Sequence, residues 1–298
     1  MGGLSAVFLG PTEYNPLLVI ALRGVNDMAT GLESNIRLVA TDLDGTLLIG
    51  GRNLPRPEAF PVIERVCDAG VLFLAASGRQ YASLRHLFEP VADRIGYLCE
   101  NGGEVIWQGE TLVRHTMPRE LALDICRLIE ETPGARYVLS GERHSYGSDP
   151  ALVDYMAREK GYDISVIERP DEVREAFIKV SFMVDPSRND EMRTMFEECY
   201  GEQCEVVTSG AEWIDVIMRD VNKGTAIREL GEVLDIPLAD MAAFGDAEND
   251  RQMLEAVGHP YLMDPCFDSM LDLAPRCRRV PTVEGELERL LEKAVRRA

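Results

Sequence analysis

The segment Ile36-Arg37-Leu38-Val39-Ala40-Thr41 runs directly into Asp42-Leu43-Asp44-Gly45-Thr46. A short, mostly apolar run of this kind reads as a buried strand, and Gly45 gives the backbone freedom to leave it sharply. Asp42 and Asp44 then sit at the C-terminal end of a strand, where open α/β sheets collect their ligands. Asp-x-Asp-Gly also occurs in plain turns and in calcium loops. A calcium loop needs further acidic or amide ligands and a Glu late in a twelve-residue loop. The continuation Thr46-Leu47-Leu48-Ile49 supplies none of these.

The strand pattern recurs along the chain. Ala59, Val62, Ile63 and Val66 follow helical spacing up to Gly70, and Val71 to Ala76 is a second apolar strand ending in Ser77-Gly78-Arg79. Strand, helix and strand in this order predict a right-handed βαβ unit with parallel, buried strands. A helix over 81–90, a strand over 95–99, the turn Glu100-Asn101-Gly102-Gly103 and an extended piece at 105–107 follow. After about residue 111, helices near 118–129, 152–160 and 191–200 alternate with separated strands near 137–139, 177–184 and 205–207. The doubly wound pattern is expected to resume with a strand at 213–217 and a helix at 224–234. A strand at 241–244, a helix at 251–257, a strand at 261–263 and a closing helix from Val283 complete it. The predicted class is α/β, with a doubly wound, Rossmann-like parallel-sheet core over 35–110 and 209–298. An α+β domain is inserted over 111–208. For residues 1–34 three readings stay open: an extra helix, a disordered tail, or residues upstream of a start near Met28.

The formal net charge of -20 argues against nucleic acid as a partner, because phosphate backbones need clustered Lys and Arg. It also means that a phosphorylated ligand requires local cations. Seven cysteines without a CxxC pair suggest buried thiols in a reducing cytoplasm, and no apolar stretch is long enough to span a bilayer.

Three apolar strands thus end in polar clusters: Asp42/Asp44, Ser77-Gly78, and Gly245-Asp246-Ala247-Glu248-Asn249-Asp250. Lys223 precedes a helix. In a parallel sheet all such strand ends share one edge, so these groups can converge. Carboxylates can hold a hard cation such as Mg2+, a lysine and backbone N–H groups can cradle phosphate oxygens, and one carboxylate can attack phosphorus. Each piece has an ordinary reading too. Ser77-Gly78 suits a plain turn, Lys223 a solvated helix start, and Asp246 and Asp250 the N-terminal end of a helix dipole.

Together these motifs resemble the haloacid dehalogenase (HAD) superfamily, and more closely its Cof-type sugar-phosphatase branch. Asp42-Leu43-Asp44-Gly45-Thr46, Ser77 in Ala-Ser-Gly-Arg, Lys223 in Asn-Lys-Gly, and Asp246 to Asp250 match its four motifs in order. The insertion lies where that branch carries its large α/β cap. The resemblance implies that Asp42 is the nucleophile and a Mg2+ ligand. It makes Asp44 the acid and base, with its backbone carbonyl on the metal. Asp246 completes the metal site with Asp250 behind it, and Leu43, Ser77, Gly78, Lys223 and Asn249 hold the phosphate. The implied activity is hydrolysis of a small phosphorylated metabolite, a sugar or polyol phosphate, through an aspartyl phosphate. A phosphomannomutase-like mutase and a sugar-phosphate-binding regulator are the alternatives. Within the insertion, His115, Arg136, Arg143, His144, Tyr146 and Lys179 are candidate substrate contacts. The chain departs from the branch at Tyr261 to Cys266 and at Pro275 to Arg279, which bears on substrate preference.

Overall fold

The computed structural model describes residues 7–8, 15–27, 32, 35–209 and 212–295. They divide into two compact units. One holds the described residues from Asn15 to Val113 and from Asn222; the other holds Arg114–Val221 with the short strand Val7–Phe8.

In the first unit the strands Gly96–Cys99, Leu72–Ala76, Leu38–Thr41, Met241–Gly245, His259–Met263 and Arg278–Val280 lie side by side in that order, all parallel. Glu104–Trp107 extends this sheet antiparallel to Gly96–Cys99. The central strands are apolar on both faces, as a sheet covered on both sides requires. Val39, Phe73, Tyr97 and Phe244 pack with the helices Ala59–Asp68, Tyr81–Leu87 and Val283–Val295. Leu38, Ala40, Leu74 and Ala243 face the opposite layer, with the helices Lys223–Leu234 and Arg251–Ala256. The α/β, doubly wound expectation is met.

The second unit is built on a six-stranded, mostly antiparallel sheet. Its order is Cys204–Ser209, Trp213–Met218, Phe177–Met183, Arg136–Gly141, Ser145–Gly147 and Ile164–Val166. The helices Arg119–Glu131 and Asn189–Tyr200 share its apolar cluster. Here the sequence expectation needs correction. The strand at 213–217 was assigned to the resumed parallel core, but Trp213–Met218 pairs antiparallel with both Phe177–Met183 and Cys204–Ser209. The reason is legible in its pattern. Ile214, Val216 and Met218 face one apolar cluster, whereas Asp215 takes the hydroxyl of Ser181 at 2.6 Å on the other side. A charged residue in the middle of the strand, between Trp213 and Ile217 on that face, departs from the uninterrupted apolar run of the parallel core strands.

The N-terminal extension contains a helix, Pro16–Asp27. Val19 and Leu22 are buried in the cluster that contains Leu230 and Val233, and the Arg23 guanidinium donates to the Val233 carbonyl oxygen at 2.6 and 3.2 Å. Met28 lies outside the described residues. Because Leu22 is 6% exposed, Leu22→Ala is expected to lower the unfolding free energy by about 2–4 kcal/mol. Urea unfolding checks this; an unchanged midpoint would mean that the helix does not contribute to the core.

Candidate active site

The register of three adjacent strands builds the site. Thr41 is level with Ala75 on one side and with Phe244 on the other, so the chain emerges at Asp42, Ser77 and Asp246 along one edge. The Asp42 N–H donates to the Phe244 carbonyl at 3.0 Å, which anchors the backbone there. Beyond it the chain reverses at once: Thr46 and Leu48 N–H groups donate to the Leu43 carbonyl at 3.1 and 2.7 Å. Gly45 has φ +97°, and a Cβ at this position would lie 2.2 Å from Asp246 Oδ2. Only glycine meets both demands.

Lys223 enters from the other side of the sequence. Asn222 caps the helix Lys223–Leu234, its side-chain oxygen accepting the Thr225 N–H at 2.9 Å. A cation in the first turn opposes the helix dipole, so this position needs nearby anions. They are present: the fully buried Lys223 ammonium donates to Asp42 Oδ1 and Asp250 Oδ1, each at 2.6 Å. The second oxygen of Asp250 accepts the N–H groups of Asp246 and Ala247 at 3.0 and 3.2 Å. The Thr46 hydroxyl donates to Asp246 Oδ1 at 2.7 Å. Asp42, Asp246 and Asp250 thereby bring ligand oxygens within 4.8 Å of one another.

Three buried carboxylates against one ammonium leave two negative charges in excess. Burial and then the Asp250 charge push Asp42 up to about 8, although Lys223 opposes them. Burial raises Asp246 to about 6, with Asp250 adding to the effect and the Thr46 hydroxyl resisting it. Burial works against the Lys223 charge, but Asp250 and Asp42 outweigh it and raise that group. The cluster therefore demands added positive charge. A divalent, oxygen-seeking cation fits it in charge and in donor type. Asp42 and Asp246 present the oxygens for it, while both oxygens of Asp250 are already engaged in positioning Lys223 and the 246–247 backbone.

The remaining expected residues fall beside this cluster. Ser77 is buried; its N–H donates to the Leu98 carbonyl at 2.9 Å and its carbonyl accepts from Asn101 N–H at 3.0 Å. Asn249 donates from Nδ2 to Asn101 Oδ1 at 3.2 Å, and a Cβ on Gly78 would lie 2.9 Å from Asn101 Nδ2. Asn101, read from the sequence as part of a turn and not as a site residue, thus ties the Ser77-Gly78 loop to the Asp246–Asp250 loop. Its φ of +57° was foreshadowed by the Asn-Gly-Gly turn. Asp44 lies at the margin, more than half exposed, and Arg79 grips both its oxygens at 2.7 and 3.2 Å. Arg79 is the second residue that the motif reading passed over. The segment departing from the family pattern lines a cavity of about 350 Å³ with Gly45, Ile49, Asp246, Met263, Cys266 and Phe267. In the inserted unit, Lys179 pairs with Asp215 at 3.5 Å and His144 with Ser165 at 2.7 Å, so these two candidates have partners within that unit.

A parallel-sheet edge carrying a clamped carboxylate, a buried lysine and a cation-demanding acidic cluster defines a hydrolase of the phosphoryl-transfer type. The family model for haloacid dehalogenase-like hydrolases matches residues 39–276, and the chain belongs to that family, in its Cof-type branch. It is 24% identical over 233 residues to 5-amino-6-(5-phospho-D-ribitylamino)uracil phosphatase of Escherichia coli, covering 77% of this chain and 86% of that one. It is 26% identical over 241 residues to HMP-PP phosphatase of Citrobacter koseri, covering 80% and 88%. A haloacid dehalogenase-like hydrolase from B. subtilis shares the fold, with TM-score 0.71, 22% identity, and coverage of 84% and 96%.

Titration and cation binding are linked at this cluster. Without a cation, the folded protein retains protons on Asp42 and Asp246 that ordinary carboxylates, at 3.8, have released. The resulting stability is complete below 3.8 and is lost as pH rises through about 6 for Asp246 and about 8 for Asp42. A cation replaces those protons. The rise in melting temperature on adding MgCl2 is thus expected to be small at about pH 5 and to grow towards about pH 8. Gly45→Ala should abolish it, because the new Cβ displaces the Asp246 carboxylate. A shift that shrinks with rising pH would contradict the cluster's charge balance.

Proposed function

We propose that this chain is a Mg2+-dependent phosphatase that hydrolyses a small phosphorylated metabolite, a sugar or polyol phosphate, through an aspartyl-phosphate intermediate. The observation that carries the reading is the Asp42 carboxylate, buried at the sheet edge and held by Lys223 beside Asp246. The family and its metabolite-phosphatase relatives support the reading.

Asp42 attacks phosphorus, the bond to the leaving oxygen breaks, and Asp44 protonates that oxygen. Asp44 then takes a proton from water as the water attacks the aspartyl phosphate, which releases inorganic phosphate and restores Asp42. Lys223 aligns Asp42 and offsets the charge of the phosphoryl oxygens. Backbone N–H groups at Leu43 and Gly78, the Ser77 hydroxyl and the Asn249 amide orient the phosphate. Asp42, Asp246 and the Asp44 carbonyl, with Asp250 behind them, would hold Mg2+, which would supply positive charge to offset that of the phosphoryl oxygens. The inserted unit, residues 114–221, is read as the counterpart of the family's cap domain. The absence of any disulfide among the seven cysteines supports a reducing, cytoplasmic setting.

Inorganic phosphate release from a panel of phosphorylated metabolites with MgCl2 tests the proposal. Asp42→Asn is expected to abolish release. Asp44→Asn should lower kcat on alkyl phosphates by about 10²–10⁴-fold, the usual weight of one positioned acid–base group. Isomerised sugar phosphate without free phosphate would make the protein a mutase instead.

A further inference from the structure

Asp44 differs from the other carboxylates of the site. Its side chain is 60% exposed, whereas Asp42, Asp246 and Asp250 are buried. Both its oxygens are nevertheless occupied, Oδ1 by Arg79 Nη2 at 2.7 Å and Oδ2 by Arg79 Nε at 3.2 Å. The backbones on either side are fixed. Around Asp44, the Gly45 N–H donates to the Leu48 carbonyl and the Leu48 N–H to the Leu43 carbonyl. At Arg79, the N–H donates to Ser77 Oγ at 3.4 Å and the carbonyl accepts the Glu100 N–H at 3.1 Å. What can change is side-chain rotation.

An ion pair this exposed contributes little to stability, so the fold does not depend on it. Its chemical consequence is larger. A carboxylate engaged by a guanidinium through both oxygens cannot hand a proton to a leaving oxygen. The planar fork that grips Asp44 is equally suited to two oxygens of a phosphoryl group, and Arg79 directly follows Ser77-Gly78.

We propose that Arg79 is a positioning residue that keeps Asp44 out of reach in the free enzyme and releases it when the substrate's phosphoryl oxygens replace Asp44 on the guanidinium. This inference rests on the phosphatase reading, which gives Asp44 its acid–base role. The exchange conserves charge and contacts: one carboxylate–guanidinium pair opens as one phosphoryl–guanidinium pair forms. Asp44 becomes available only in a site that holds substrate. In a chain with 51 acidic and 31 basic residues, one cation serves in turn as restraint and as anion receptor.

The test is a double-mutant cycle on the binding of inorganic phosphate, measured by calorimetry in MgCl2 with the full chain. Arg79→Ala is expected to weaken binding by about 5–10-fold, the worth of one charge-assisted contact. Asp44→Asn removes the competitor and should tighten binding by about 2–5-fold. In the double variant this gain should vanish, because no guanidinium remains to be freed. An equal gain from Asp44→Asn with and without Arg79 would reduce the effect to plain charge repulsion and overturn the exchange. Undiminished binding in Arg79→Ala would overturn it as well. On an alkyl phosphate, Arg79→Ala should raise KM by the same factor as the phosphate Kd, with kcat falling less than about threefold. Arg79→Lys, which keeps the charge without the fork, should fall between. A kcat loss at unchanged KM would also overturn the proposal. Phosphate binding that ignores Arg79 sinks this inference alone, whereas no binding by any form, with no hydrolysis dependent on Asp42, sinks the phosphatase reading too.

Discussion

The site depends on one ammonium group buried between two carboxylates. Lys223 has no access to water, and neither does Asp250, so their charges are tolerable only because they meet at 2.6 Å. Removing Lys223 would leave two buried carboxylates without their cation, which costs far more than a surface pair contributes. The contact to Asp42 joins the N-terminal part of the chain to the part that resumes after the insertion, across 181 positions. Asp250 extends the constraint, since its other oxygen fixes the backbone at Asp246 and Ala247. One cation thereby sets the orientation of the Asp42 carboxylate and of the loop that presents Asp246.

Close packing around this pair explains the glycines of the motifs in physical terms. A side chain at Gly45 would meet the Asp246 carboxylate, and one at Gly245 would lie 2.5 Å from Asp250 Cβ. The acidic cluster is compact because the backbone opposite it carries no side chains. Compactness concentrates negative charge, and concentrated negative charge is what draws a small divalent cation.

Asp44 has a different environment. The buried carboxylates are fixed, whereas the proton transfers proposed for Asp44 need a side chain that can move. Its position at the exposed margin, on a short arm from a rigid turn, permits that movement. The Arg79 contact controls it at little cost to the fold.

Much of this was legible in the sequence. Apolar strands ending in Asp42, Ser77 and Asp246 predict a parallel sheet, and a parallel sheet puts those ends on one edge whatever their separation in the chain. Local backbone chemistry was also legible, in Gly45 and in the Asn101-Gly102 turn. The strand Trp213–Met218 was misassigned because apolar content alone was read, although the charged Asp215 interrupts a run that the parallel core strands keep apolar. Arg79 and Asn101 escaped because each acts through a partner distant in sequence, Asp44 and Asn249, and no local period encodes such a pairing. The sequence by itself determined most of the elements, the parallel sense of the core strands and the residue types at the edge, since these follow from periodicity and backbone sterics. Only the tertiary structure decided which carboxylate is clamped, which one positions the loop and which one is left to move. Those roles depend on burial and on distances of a few ångströms between segments that meet only when the chain is folded.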